Sequence, residues 1–217
     1  MLEPEADAAG FVLAGGRSSR MGTDKALVEF RGRPLVENAL GILRAAGLTA
    51  SIAGARADLR AFAPVVEDST PDLGPLGGIT AAMDSSAARW AVFLSVDLPL
   101  LPAPLVRVLL NHARISGRTV TLASVAGFAQ TFPVVLDRAV LPMLQSELAA
   151  GRGGCFAGFQ SAASGLGQAV SVVAAELLAQ TGQVAHQGGL AAAQWFFNVN
   201  SAGDLRRAEA HRTGSIA

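Results

Sequence analysis

The sequence is poor in cysteine, and this scarcity limits the class of protein it can encode. Its 217 residues contain one cysteine, Cys155. A single thiol excludes a disulfide framework within the chain and is typical of proteins from a reducing compartment. A nucleophilic cysteine needs a histidine as its base, and no histidine lies near Cys155 in the sequence. We therefore expect a packed thiol without a catalytic role.

Net charge and long apolar runs are also lacking. The 17 basic side chains balance 17 acidic ones, so there is no general attraction for nucleic acid or a membrane surface. Charges, prolines or glycines interrupt each apolar segment before it reaches membrane-spanning length. The acidic N-terminal stretch does not resemble a secretory signal or a transit peptide. These features predict a cytoplasmic protein with neither nucleic-acid nor membrane partners.

The first half of the chain alternates between strand and helix patterns. Strands are predicted at residues 11–13, 50–53, 65–68 and 90–96, and helices at 35–43, 57–62 and 102–114. Such alternation requires a parallel sheet with helices on both faces. With 51% hydrophobic residues the chain can also bury a substantial core. We predict a three-layer α/β/α, Rossmann-like fold with a mostly parallel central sheet, in a single domain over residues 1–217.

The second half has a less regular pattern. Further strands are predicted at residues 119–123, 132–136, 171–173 and 194–200. A helix over 139–150 and a last helix from about Gly203, capped by Ser201, complete the elements. Three other segments are predicted: a short extended segment at 25–30, a turn-rich loop at 69–79 that opens a helix, and a mobile, Gly/Ala/Ser-rich surface loop at 151–167.

A glycine-rich stretch follows the first strand, reading Leu-Ala-Gly-Gly-Arg-Ser-Ser-Arg-Met-Gly-Thr-Asp-Lys over residues 13–25. Glycines allow close approach to a ligand, and backbone N–H groups with cationic side chains suit phosphate. No hydroxyl residue follows Lys25, which excludes a Walker A loop, and the glycine spacing differs from a dinucleotide fingerprint. We predict a nucleotide-phosphate loop in which Arg20 and Lys25 supply the positive charge.

Two aspartates lie at the ends of other predicted strands. Asp97 ends the buried strand at 90–96, and Asp68 ends the strand at 65–68. Functional groups gather at the carboxyl ends of parallel strands, and Mg²⁺ takes one or two carboxylates together with substrate phosphate oxygens. We predict that Asp97 binds magnesium and that Asp68, with Gly77 and Gly78, lines the nucleotide pocket. Turn or capping roles are the alternatives for both aspartates.

The stretch from Leu13 to Lys25 resembles the opening signature of the MobA-like nucleotidyltransferases, and in particular the molybdenum cofactor guanylyltransferases among them. The segment Ser-Val-Asp-Leu-Pro around Asp97 is similar to the family's magnesium motif, and Asn198-Val-Asn200 to its closing motif. The resemblance implies a fold of the nucleotide-diphospho-sugar transferase type. It also assigns residues to the nucleotide (Leu13, Ala14, Gly15, Gly16, Lys25, Asp68, Gly77, Gly78 and Asp97) and to the acceptor (Gln130, Asn198 and Asn200).

The same resemblance implies a reaction. GMP would be transferred from GTP to the terminal phosphate of Mo-molybdopterin, with Arg20, Lys25 and Asp97 as catalytic residues, Mg²⁺ as the cofactor and pyrophosphate as the leaving group. The part of the chain up to about residue 110 would bind the nucleotide, and the remainder would bind the acceptor. Molybdoenzymes or their chaperones are the further partners that the family implies.

The chain departs from the family pattern on the base and acceptor sides. The family's Asn-Ala-Asn-Arg segment reads Ala-Gly-Ala-Arg at residues 53–56, so the Asn contact with the nucleotide is missing. Gln130 is followed by Thr and Phe, and Ser201-Ala202 replace the usual Thr-Pro. Two alternatives therefore stay open: a transferase for another nucleotide such as CTP or another phosphorylated acceptor, and a non-catalytic chaperone that binds nucleotide and molybdopterin.

Overall fold

The computed structural model describes residues 7–14, 24–67 and 74–211. The strands are β1 Ala8–Leu13, β2 Glu29–Phe30, β3 Arg33–Pro34, β4 Thr49–Ala53, β5 Val65–Val66, β6 Trp90–Ser95, β7 Val120–Val125, β8 Phe128–Asp137 and β9 Ser171–Ala174. The helices are α1 Leu35–Ala45, α2 Gly74–Ser85, α3 Ala103–Ser116, α4 Leu141–Ala149, α5 Cys155–Gly165, α6 Ala175–Gln180, α7 Ala192–Trp195 and α8 Ala202–Ala210.

Seven of the strands form one sheet in the order β5-β4-β1-β6-β8-β7-β9, while β2 and β3 form a separate hairpin. The strand β1 lies at the centre of the parallel part, where Val12 pairs with Ile52 of β4 and with Leu94 of β6. Only β8 runs against its neighbours, β6 and β7. Strands β1, β4, β5 and β6 therefore all end at the same edge of the sheet, and β8 begins there.

Helices cover both faces of this sheet. On one face, Val12 and Leu94 belong to a core that includes buried residues of α1, α3, α6, α7 and α8. On the opposite face, Phe11 and Phe93 belong to a second core with α2, α4 and α5. Neighbouring residues of β1 enter different cores because successive side chains of a strand point to opposite faces. The predicted three-layer, mostly parallel architecture is confirmed.

Two of the segments predicted to be irregular are partly helical. Residues 25–30 are not extended throughout, because Lys25–Leu27 form a 3-10 helix whose first turn is capped by the Asp24 carboxylate, which accepts from Ala26 N at 3.0 Å. Helix α2 begins at Gly74, inside the loop predicted at 69–79. The apolar residues Leu76 and Ile79 are fully buried on its inner face, and this burial favours helix over loop.

The prediction of a mobile loop over 151–167 is wrong, because most of that segment is helix α5. Its buried residues Gly158, Phe159, Ala162 and Ala163 recur at helical spacing and face α2 and α4. A Cβ atom at Gly158 would lie 3.3 Å from a methyl carbon of Leu76, so the glycine allows a close helix contact. The small residues that favour a loop in the sequence are packing residues in the fold.

The strand predicted at 194–200 is also wrong. Residues Ala192–Trp195 form the one-turn helix α7, in which the Gln194 side chain accepts from Ala191 N at 3.1 Å. The Trp195 indole N–H donates to Leu190 O at 2.8 Å, which turns the ring into the core and away from a strand register. The residues after α7 are irregular until Ser201 caps α8 by accepting from Asp204 N, as predicted.

Candidate active site

Asp97 lies just beyond the carboxyl end of β6, where the chain leaves the sheet. Its Oδ2 accepts a hydrogen bond from Lys25 Nζ at 2.9 Å. Its Oδ1 is buried and has no hydrogen-bond partner among the described residues. A buried carboxylate oxygen without a donor is costly, so this atom is suited to a cation or a ligand group.

Lys25 is held next to this carboxylate by the 3-10 helix that follows Asp24. Besides its contact with Asp97, its ammonium group donates to Asn200 Oδ1 at 2.6 Å. The side chain is only 17% exposed, so the charge is partly shielded from water. Partial shielding strengthens its electrostatic interactions relative to those of a solvated lysine.

The segment before α8 brings Asn200 to this position. Val199 N donates to Asp97 O at 2.9 Å, which fixes the segment to the end of β6. Asp204 then accepts from Asn200 N at 3.1 Å while Ser201 caps the helix. Lys25, Asp97 and Asn200, which are separated by as many as 175 positions in the chain, therefore meet at one point.

Arg56, which has no role among the predictions from the sequence, adjoins this cluster through Asp24, the residue before Lys25. Its guanidinium is buried at the end of β4 and donates to the carboxylates of Asp24 and Asp58 and to Ala14 O. The hydrogen bond to Asp58 and the charge of Asp24 raise its pKa against the opposing effect of burial. The signal that could have found it is its place after the second strand, the same criterion that selected Asp97.

The remaining predicted residues are distributed around the same edge of the sheet. Leu13 and Ala14 lie at the end of β1, beside Ala53 of β4 and Ser95 of β6. Gly77 and Gly78 are buried within α2, in helix and not in a loop. Gly15, Gly16, Arg20 and Asp68 lie outside the described residues.

The predicted acceptor residues are not equivalent. Both asparagines are exposed, but Asn200 contacts Lys25, whereas Asn198 donates to Phe196 O at 3.3 Å. Gln130 lies in β8 and donates to Phe128 O at 3.0 Å. Since β8 pairs Val134 with Phe93 and runs antiparallel, Gln130 lies toward the edge where β6 ends. No hydrogen bond joins Gln130 to Lys25, Asp97 or Asn200 in the part of the chain that the structure describes.

The donors available for a metal ion are few. Within the described ranges there is no group of three or more His, Cys, Asp or Glu side chains that could hold an ion. Asp97 nevertheless fits Mg²⁺, which takes one or two carboxylates and fills its remaining positions with water and substrate phosphate.

No helix in the described part of the chain is long and apolar enough to cross a membrane.

The mostly parallel α/β sheet, with charged and amide groups converging at its strand ends, places this chain among the α/β proteins that bind ligands at the carboxyl ends of their strands. A sequence model described as the MobA-like NTP transferase domain matches residues 10–163. The chain belongs to this family and is a nucleotidyltransferase.

One relative and two solved structures illustrate the similarity. The chain is 38% identical over 145 residues to a molybdenum cofactor guanylyltransferase of Pseudomonas putida strain F1, covering 64% of this chain and 75% of that protein. In structure it is similar to molybdopterin-guanine dinucleotide biosynthesis protein A from Archaeoglobus fulgidus, with a TM-score of 0.73, 19% identity and coverage of 93% and 97% of the two chains. A Mycobacterium tuberculosis H37Rv protein solved as a complex with manganese has a TM-score of 0.58, 20% identity and coverage of 94% and 98%.

Proposed function

We propose that this nucleotidyltransferase transfers GMP from GTP to the terminal phosphate of Mo-molybdopterin, releasing pyrophosphate and forming the guanine dinucleotide. The observation that carries the chemistry is the pair formed by Lys25 and Asp97, with Asp97 Oδ1 buried and free of a hydrogen-bond partner within the described ranges. The guanine base and the molybdopterin acceptor are supported by the relative from Pseudomonas putida, which is named for that reaction.

The nucleotide would be bound by the part of the chain up to about residue 110. Leu13, Ala14, Gly15 and Gly16 would lie along its phosphates, and Asp68, Gly77 and Gly78 along its nucleoside. The acceptor would bind to the second part through Gln130, Asn198 and Asn200. Lys25, a proposed nucleotide-binding residue, contacts Asn200, a proposed acceptor-binding residue. This contact supports the proposal that the reacting phosphate lies at the junction of the two parts.

Catalysis of this kind depends on position and charge and needs no covalent enzyme intermediate. An acceptor phosphate oxygen attacks the α-phosphorus of GTP in line, and the bond to pyrophosphate breaks. Lys25 and Arg20 would offset the negative charge that develops on the phosphoryl oxygens. Asp97 would hold Mg²⁺ through Oδ1, and the bound ion supplies further neutralisation of phosphate charge.

The residues around Arg56 leave the identity of the base open. All five N–H groups of Arg56 are directed to Asp24, Asp58 and Ala14, so its side chain has no donor left for a base. The Asn residues of the family's segment are missing beside it, at residues 53–55. Base recognition therefore depends on other residues, and CTP is the second candidate donor.

Delivery of the product to molybdoenzymes or their chaperones would follow the transfer.

The test is the release of pyrophosphate by the purified chain with Mg²⁺, each nucleoside triphosphate in turn, and molybdopterin either present or omitted. We expect release with GTP and only when molybdopterin is present. Release with CTP and not with GTP would assign the chain to the alternative donor. Binding of nucleotide without release under any combination would instead identify a chaperone and exclude the transferase.

A further inference from the structure

The guanidinium of Arg56 is bound on all sides by oxygen atoms. Its Nε and Nη2 donate to Asp58 at 3.0 and 2.8 Å, its Nη1 donates to Ala14 O at 3.0 Å and to Asp24 Oδ1 at 3.2 Å, and its Nη2 also donates to Asp24 Oδ2. The residue is only 6% exposed. An arginine has five N–H groups, and each of them is used here.

The two inner partners of Arg56 lead directly to the candidate active site. Ala14 directly follows β1, and its N–H donates to Ala53 O of β4 at 3.4 Å. Asp24 immediately precedes Lys25 and caps the 3-10 helix that carries it. Arg56 therefore ties the end of β1 and the base of the Lys25 helix to β4. The outer partner, Asp58, has a side chain that is 57% exposed.

We propose that Arg56 is a positioning residue of the transferase, which holds Lys25 against Asp97 and Asn200 by fixing Asp24 and Ala14. The inference rests on the proposed function, in which Lys25 acts on the reacting phosphate. Arg56 does not itself touch the substrate, because its donors are all directed to protein oxygens.

The geometry requires an arginine and not only a positive charge. Asp24 and Asp58 are each bound by a pair of N–H groups, and a planar guanidinium can present such pairs to two carboxylates at once. A lysine has three donors on one nitrogen and cannot form both pairs together with the bond to Ala14 O. Arg56→Lys therefore keeps the positive charge but cannot form the paired hydrogen bonds to Asp24 and Asp58.

The experiment compares Arg56→Lys with Asp24→Asn and with the control Asp58→Asn. Asp24→Asn retains an oxygen that can cap the 3-10 helix but loses the charge that Arg56 binds. We expect Arg56→Lys and Asp24→Asn to lower kcat/KM for GTP by roughly 100-fold, as misplacement of a catalytic group by about 1 Å does. Asp58→Asn should stay within about threefold of the wild type, because Asp24 and Ala14 remain bound to Arg56.

Two further readouts separate positioning from general damage to the fold. In a crystal structure of Arg56→Lys, or of Asp24→Asn if the first variant does not fold, we expect the contact between Lys25 Nζ and Asp97 to be lost. In a Lys25→Met background, adding Arg56→Lys should lower activity by less than about threefold, since both substitutions remove the contribution of Lys25 to catalysis.

The outcomes distinguish this inference from the proposed function. A folded Arg56→Lys or Asp24→Asn variant that keeps the contact between Lys25 and Asp97 would overturn the positioning role, whatever its activity. Full activity of both variants would overturn it as well. A wild-type chain that releases no pyrophosphate from GTP with molybdopterin would overturn the proposed reaction, while the crystallographic comparison would still decide whether Arg56 positions Lys25.

Discussion

At the scale of single residues, the two oxygens of Asp97 have different surroundings. Oδ2 accepts from Lys25, whereas Oδ1 is buried without a hydrogen-bond partner among the described residues. Leaving a buried polar atom unsatisfied costs about 1–3 kcal/mol. A carboxylate in this state is expected at a site that a cation or a ligand completes, and this supports Asp97 as the metal-binding residue.

Replacement of Asp97 by asparagine tests this role directly. Asp97→Asn keeps the shape of the side chain and removes the negative charge that would hold the metal. Because metal-assisted charge stabilisation contributes several kcal/mol to such reactions, we expect turnover to fall by at least about 100-fold. The measurement is pyrophosphate release as a function of Mg²⁺ concentration.

The matched control for this substitution is Asp84→Asn, at an exposed position on α2. It should leave turnover unchanged, and both variants should unfold at temperatures close to that of the wild type. An Asp97→Asn enzyme with the same Mg²⁺ dependence and turnover as the wild type would show that Asp97 does not bind the metal.

At the scale of elements, the strand β6 is easier to predict than the helices α5 and α7. The strand β6 is a continuous apolar run whose residues are nearly all buried, so its composition and length indicate its structure. By contrast, α5 is built from Gly, Ala and Ser, and its helical form depends on packing against α2 and α4. The one-turn helix α7 has too few residues to show a helical periodicity, and its Trp195 donates to Leu190 O, five residues earlier.

The candidate site likewise contains residues that sequence motifs identify and one that they do not. Lys25, Asp97 and Asn200 could be selected from motifs, and they do meet in the structure. The place of Arg56 after the second strand could have selected it, but its role could not be predicted, because its partners Ala14 and Asp24 lie in two other segments of the chain. The sequence near Arg56 contains only one of its partners: Asp58 lies two positions away, whereas Asp24 and Ala14 lie 32 and 42 positions away.

The hydrogen bonds that join α4 to α5 provide a test at the scale of elements. Glu147 of α4 accepts from Arg152 at 2.7 and 2.9 Å and from Ser161 of α5 at 2.8 Å. The hydrogen bonds from Arg152 and then from Ser161 lower the pKa of Glu147 from about 4.5 to about 2. A carboxyl group with a lowered folded-state pKa adds stability above its unfolded pKa and loses it as the pH falls.

We therefore expect the contribution of Glu147 to be complete above about pH 4.5 and to be lost as the pH falls toward about 2. Urea unfolding measured across this range should show a smaller acid-induced loss of stability in Glu147→Gln than in the wild type. Glu37→Gln, at an exposed position on α1, should retain the pH dependence of the wild type. If Glu147→Gln loses stability with acid as steeply as the wild type, this join does not contribute to acid sensitivity.

At the scale of the whole molecule, the site depends on the return of the chain to the end of β6. The helices α6, α7 and α8 pack on the same face as α1 and α3, and the segment before α8 then bonds to Asp97 through Val199. The first quarter of the chain supplies Lys25, the middle supplies Asp97 and the end supplies Asn200. Completion of the fold therefore also completes the candidate site.

This arrangement predicts different effects for the two asparagines of the closing motif. Asn200→Ala removes the bond to Lys25 and should lower kcat by about tenfold, which corresponds to roughly 1.4 kcal/mol and lies near the range for hydrogen bonds to charged groups. Asn198→Ala removes a side chain that has no bond to Lys25, and should act on the KM for molybdopterin and much less on kcat. The measurement is a pair of pyrophosphate-release titrations, one in GTP and one in molybdopterin, for each variant. If both substitutions changed only the KM for molybdopterin, the bond between Asn200 and Lys25 would have no part in catalysis, and the two halves of the chain would contribute to the reaction through separate binding sites.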